Sequence, residues 1–173
     1  VIERARAAGI TRMVTIGTDL EDSAHCIDLA HQHSAVYAAV GIHPCSVTDV
    51  SNDGDWLQAI RKLAARKEVA AIGEIGLDYF HPPPEGWEQE SYRQRQADFF
   101  KAQLELAAEM ELNAVIHQRD RGNQCWSDIL RIMEPFHGRL RAVFHCFTHS
   151  WETAKPLIDK GHMISFTGIS TFP

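Results

Sequence analysis

The stretch "VAAIGEIGLDYF", residues 69–80, decides the fold. It begins as an apolar run of strand character and then carries two acids, Glu74 and Asp78. Burying an unpaired carboxylate costs several kcal/mol, so Glu74 calls for a cation or a metal beside it. A run that is apolar on both faces fits a strand of a parallel sheet covered by helices.

Five further runs read as strands on either side of it. They are "TRMVTIGT" (11–18), "AVYAAVGIHP" (35–44), "LNAVIHQR" (112–119), "RAVFHCF" (141–147) and "HMISFTG" (162–168). Helical periodicity fills the intervals: "EDSAHCIDLAHQHS" (21–34), "DWLQAIRKLAARK" (55–67), "RQRQADFFKAQLELAAEME" (93–111), "CWSDILRIMEPF" (125–136) and "WETAKPLIDKG" (151–161). In the third of these, Phe99, Leu104, Ala107, Ala108 and Met110 form an apolar stripe with Lys101, Glu105 and Glu109 opposite. The alternation predicts one α/β domain over residues 1–173, as a singly wound barrel or a doubly wound open sheet. The loop "HPPPEGWEQES" (81–91) cannot begin as a helix and makes a long excursion after the acidic strand end.

Composition narrows the classes. At 45% apolar residues, a chain of 173 residues has material for a real core. No run is long enough to span a membrane and no signal-peptide pattern is visible, so the expected address is the cytosol. The four cysteines, Cys26, Cys45, Cys125 and Cys146, are placed singly, as free thiols of a reducing compartment would be. A net charge of −6 argues against a broad basic surface for coating nucleic acid.

Aligning the strands by their last residues gathers the chemistry. His43, Glu74, Asp78, His117 with Arg119, and His145 all fall at carboxyl ends, the rim on which parallel α/β folds bind ligands. Glu74, His117 and His145 make a plausible metal-ligand set. Other histidines read as structural. The "HQH" at 31–33 lies at a helix end, where residues two apart diverge, and is expected to be solvated. His25, His81, His137 and His162 read as surface or capping residues, and Cys146 as packing on the face opposite His145.

With these residues in place, the chain resembles the TatD family of metal-dependent deoxyribonucleases, amidohydrolase-like TIM barrels. The carriers are "GIHP" (41–44), "GEIGLDY" (73–79), residues 94–119, "HCFT" (145–148) and "ISFTGISTF" (164–172). The resemblance implies a (β/α)8 barrel and hydrolysis of DNA phosphodiesters by metal-activated water, removing nucleotides from the 3′ end. It implies that Glu74, His117 and His145 bind metal, that His43 and Arg119 meet the substrate phosphate, and that Asp78 orients a ligand. Glu74, Asp78 and Arg119 are then the catalytic set. The family uses two divalent ions, magnesium, manganese or zinc; one is expected here.

That expectation follows from departures. The family's first-strand HxH pair and last-strand aspartate have no counterpart between "VIERARAAGI" and "STFP", so the barrel is expected to be incomplete, with weak turnover. His149 stands where the family usually has glycine, and Cys45 where many members have a second histidine. Two alternatives stay open. One is a metal-dependent hydrolase of a lactone, amide or phosphotriester, and the other is a non-catalytic barrel remnant. Oligomeric state is not legible.

Overall fold

The computed structural model describes residues 1–51 and 55–171; the final two residues of the chain, which close the "ISFTGISTF" and "STFP" stretches, lie outside them. All six expected strands form: β1 (Met13–Ile16), β2 (Val36–Val40), β3 (Val69–Asp78), β4 (Asn113–Arg119), β5 (Ala142–Phe144) and β6 (Met163–Ile164). They make one parallel sheet in the order β1-β2-β3-β4-β5-β6. A doubly wound sheet would reverse its order at a switch point. Here the order never reverses, so the sheet is singly wound, a curled half-barrel.

Helices α1 (Ile2–Ala7), α2 (Leu20–Gln32), α3 (Asp55–Ala64), α4 (Gln89–Glu109), α5 (Gln124–Met133) and α6 (Trp151–Asp159) alternate with the strands. Asp19 caps α2 by accepting the Asp22 N–H at 2.8 Å. The outer face of the sheet and the helices share the main core, from Ile27 and Val40 through Ile72, Phe100 and Leu104 to Ile116 and Phe144. The inner face carries a smaller cluster of Ala39, Ala71 and Val115, with Ile16 and Val143 against it. Small residues at its centre suit the tight concave side of a curled sheet.

The expected stripe on α4 holds: Phe99, Leu104 and Ala107 are buried, and Lys101, Glu105 and Glu109 are exposed. Two polar residues share the buried side. Gln96 and Gln103 are fully buried, two turns apart, and each clamps one backbone residue of the sheet rim. Gln103 accepts the Ile42 N–H at 2.7 Å and donates to the Ile42 carbonyl at 3.1 Å. Gln96 treats Asp78 likewise, at 2.9 and 3.1 Å. These bonds satisfy backbone groups that the ends of β2 and β3 would otherwise leave unpaired.

Among the described residues, no helix is long and apolar enough to cross a membrane.

Candidate functional site

The site grows out of β3. Its register against β4 shifts between Ile72 and Ile75, and the Glu74 N–H leaves the local ladder to donate to the Gly17 carbonyl beyond β1, at 2.9 Å. Two glycines permit this path. Gly76, at φ +144°, sits opposite His117, and a Cβ there would lie 2.1 Å from the His117 carbonyl oxygen. A Cβ on Gly73 would lie 2.5 Å from the Val115 side chain. The spacing G-E-I-G is thus what lets β3 press against β4 while Glu74 turns to the rim.

Glu74, His117, His43, Arg119 and His145 line one cleft of about 400 Å³. His117 is held from both sides: its Nδ1 is 2.9 Å from Glu74 Oε1 and its Nε2 is 3.0 Å from Asp78 Oδ2. Both partners are carboxylates, which as anions only accept, so the pair of contacts favours a ring that donates from both nitrogens, the imidazolium. Burial alone would lower its pKa, but the bonds to Asp78 and Glu74 raise it. Burial likewise works against ionised Glu74, and the bond from His117 overcomes it, holding the carboxyl below its usual range. Asp78, with no exposed side-chain surface, is held far below the usual range against its own burial, by bonds from His117 and His81.

His43 plays a different part. Its Nδ1 accepts the Cys45 N–H at 3.1 Å, and burial, then the neighbouring charge of His117, push its pKa down to about 4. A neutral ring that accepts at Nδ1 carries its proton on Nε2. His43 is therefore an N–H donor, packed edge-on to His117 at 4.3 Å between ring centroids.

A divalent ion fits this arrangement. Ligand atoms of His43, Glu74 and His117 lie within 4.8 Å of one another, and since both nitrogens of His43 are engaged, one accepting from Cys45 and the other carrying the proton, Glu74 and His117 are the N/O pair that would hold zinc, manganese or magnesium. The fit is best between Glu74 and His117 Nδ1, where an ion would replace the shared proton. His117 Nε2–H would stay on Asp78, the usual way a ligating histidine is oriented. His145 follows β5 on the wall of the same cleft, its N–H donating to the Ile116 carbonyl at 2.9 Å, outside the His43–Glu74–His117 group. Arg119, at the end of β4, rests its guanidinium 4.2 Å from the centre of the Phe80 ring, and Arg121 lies 4.7 Å from the same ring.

Several histidines and one cysteine depart from the sequence reading. His81 Nδ1 reaches Asp78 Oδ2 at 3.0 Å, because the chain turns back over the carboxylate straight after β3. His137 and His162 bond each other at 2.8 Å, and His162 is buried beneath the Ala142 N–H, so neither is a simple surface residue. His31, at the exposed end of α2, is paired with Glu68 at 2.9 Å. Cys146 has left the strand: at φ 51° its side chain reaches Thr167 and lines the cleft alongside His145 instead of facing away from it. His149, which stands where the family usually has glycine, bonds Gln118 at 2.9 Å in the same cleft.

A singly wound α/β half-barrel with carboxylates and imidazoles gathered on its carboxyl-end rim is consistent with a TIM-barrel-like fold, whose sites are built on that rim. The chain matches the TatD related DNase family over residues 1–173 and belongs to that family. It is 34% identical over 173 residues to a protein of Bacillus subtilis named uncharacterized metal-dependent hydrolase YabD, covering 99% of this chain and 63% of that one. It is also 34% identical over 172 residues to a protein of Citrobacter koseri named 3′-5′ ssDNA/RNA exonuclease TatD, covering 97% of this chain and 60% of that one. The crystal structure of YJJV, a TatD homologue from Escherichia coli K12, superposes with a TM-score of 0.81 at 28% identity, covering 99% of this chain and 62% of that one. The chain thus spans about three fifths of the length of these relatives.

Proposed function

We propose that this cleft serves metal-dependent hydrolysis of nucleic-acid phosphodiesters, with single-stranded DNA as substrate and attack from the 3′ end. One observation carries the reading: a single imidazole, His117, is clasped between two carboxylates at the base of a cleft that also holds the N–H donor of His43 and the guanidinium of Arg119. The Citrobacter relative's name supports the polarity and the polymer.

Glu74 and His117 would hold a divalent ion, with His145 on the adjoining wall as a further ligand. Such an ion acidifies water and offsets charge on phosphate oxygens. Asp78 acts through His117, fixing its ring by accepting from Nε2. His43 donates Nε2–H to a non-bridging phosphate oxygen, and its lowered pKa keeps it in that form at neutral pH. Arg119, stacked on Phe80, presents its remaining N–H groups to a second phosphate oxygen. Free thiols at all four cysteines fit a reducing, cytosolic setting.

The test is incubation of the protein with a 5′-labelled single-stranded oligonucleotide and magnesium, manganese or zinc. Stepwise release of mononucleotides, lost in Glu74→Ala, supports the reading. Intact oligonucleotide alongside turnover of a neutral ester or lactone overturns it.

A further inference from the structure

We propose that Cys45, Asp78 and His81 form a second cation site, for a thiophilic divalent ion such as zinc, beside the Glu74–His117 pair. The inference rests on these three residues and does not depend on the nuclease reading.

The three side chains come from separate places. Cys45 is the second residue of the 3-10 turn after β2, Asp78 ends β3, and His81 lies in the proline-rich loop beyond it. Their ligand atoms nonetheless lie within 4.8 Å of one another. Cys45 Sγ is 3.8 Å from His81 Nδ1, and that nitrogen is 3.0 Å from Asp78 Oδ2. Zinc bonds of about 2.3 Å to sulfur and about 2.0 Å to nitrogen or oxygen imply tetrahedral edges of about 3.5 Å for S···N and about 3.3 Å for N···O. The observed edges stand within a few tenths of an ångström of those values, so an ion enters with small side-chain adjustments.

The surroundings favour a ligand set over a mere contact. Asp78 Oδ1 is already fixed by the N–H groups of Phe80 and His81, at 3.0 and 2.9 Å, which leaves Oδ2 aimed at the gap. The Asp78 side chain has no exposed surface, whereas His81 is about half exposed (48%), so one side of the gap is preorganised and the other open to solvent. A fourth position remains for water. On binding, the S–H bond of Cys45 breaks as the sulfur–metal bond forms, and the proton passes to solvent. The proton that His81 Nδ1 shares with Asp78 Oδ2 is likewise given up to solvent as the nitrogen–metal bond forms, and the ring coordinates as the neutral tautomer protonated at Nε2. Thiolate and carboxylate together balance the charge of a divalent ion. Sulfur also sets the preference, because it selects zinc, cobalt or copper over magnesium, whereas the Glu74–His117 pair offers only nitrogen and oxygen. Asp78 Oδ2 touches both imidazoles, so the two sites meet at one oxygen.

The test is titration of the metal-free protein with cobalt(II), read by the near-ultraviolet thiolate-to-cobalt charge-transfer band. The proposal expects a band that saturates at one cobalt per chain, vanishes in Cys45→Ser, shifts to at least about tenfold weaker binding in His81→Gln, and persists in Glu74→Gln. Circular dichroism establishes that each variant is folded. Should Cys45→Ser fail to fold, His81→Gln, altered at an exposed side chain, decides alone. No band in the wild type, a band unchanged in His81→Gln, or a band surviving in folded Cys45→Ser overturns the proposal. Oligonucleotide cleavage with magnesium alone reports on the nuclease reading separately.

Discussion

The Nε2 of His117 lies 3.0 Å from Oδ2 of Asp78, a carboxylate with no solvent-exposed surface that also receives two backbone N–H groups. The ring that serves the cleft is thereby aimed by a group that cannot itself reach the cleft.

In Asp78→Asn the amide oxygen keeps the Phe80 and His81 N–H groups, so an NH2 group of the same size replaces the acceptor that orients His117. Divalent-ion affinity at Glu74–His117 is expected to fall about 10- to 100-fold. Calorimetric titration with manganese measures it, and a fall of less than about threefold would show that Asp78 is not the orienting group.

The pH dependence of stability has a defined sign at His43. Its folded pKa is near 4, against about 6.5 for an unfolded histidine. Between those values the unfolded chain binds more protons, so stability falls as pH drops from about 6.5 to about 4. A shift of this size corresponds to about 3 kcal/mol. Denaturant unfolding of wild type and His43→Asn across that range should show a steeper loss in the wild type, and parallel curves would refute the assignment.

The glutamine clamps predict a stability cost out of proportion to their polarity. Gln96→Leu leaves both backbone groups of Asp78 buried without partners, at about 1–3 kcal/mol each. Urea unfolding should register a loss of about 2–6 kcal/mol, with a similar loss for Gln103→Leu at Ile42.

Gly76→Ala drives a methyl group into the His117 carbonyl at a φ unsuited to an L side chain. Destabilisation above about 4 kcal/mol, or failure to fold, is expected. Gly86→Ala, also at positive φ but in open space, is the control, and should cost about 1–2 kcal/mol. Thermal melts of the two variants compare them directly.

Much of this was legible in the chain. The apolar run broken by Glu74 and Asp78 identified β3, and the polar groups at the ends of successive strands identified one rim, which the cleft gathers. Sheet order was not legible in the strand and helix pattern, because singly and doubly wound sheets use the same elements; the family resemblance supplied it. Gln96 and Gln103 were hidden for another reason. Hydropathy treats glutamine as a solvent-facing residue, and nothing local announces that a backbone amide distant in the chain needs a partner. The turn that brings His81 onto Asp78, and the left-handed backbone that swings Cys146 into the cleft, are conformational facts to which strand alternation is blind.

Because neighbouring strands in the sheet are also neighbours in the chain, assembly can spread outward from the centre without first closing long loops. The ten-residue β3, flanked by β2 and β4 and clamped by α4, is the natural starting point. Its amides are expected to be among the slowest to exchange with deuterated water, while those of β1 and β6 exchange early. Glu74 and His117 would then be brought together before the sheet edges form, and the Gly17 carbonyl would complete the anchoring of Glu74 only as β1 docks.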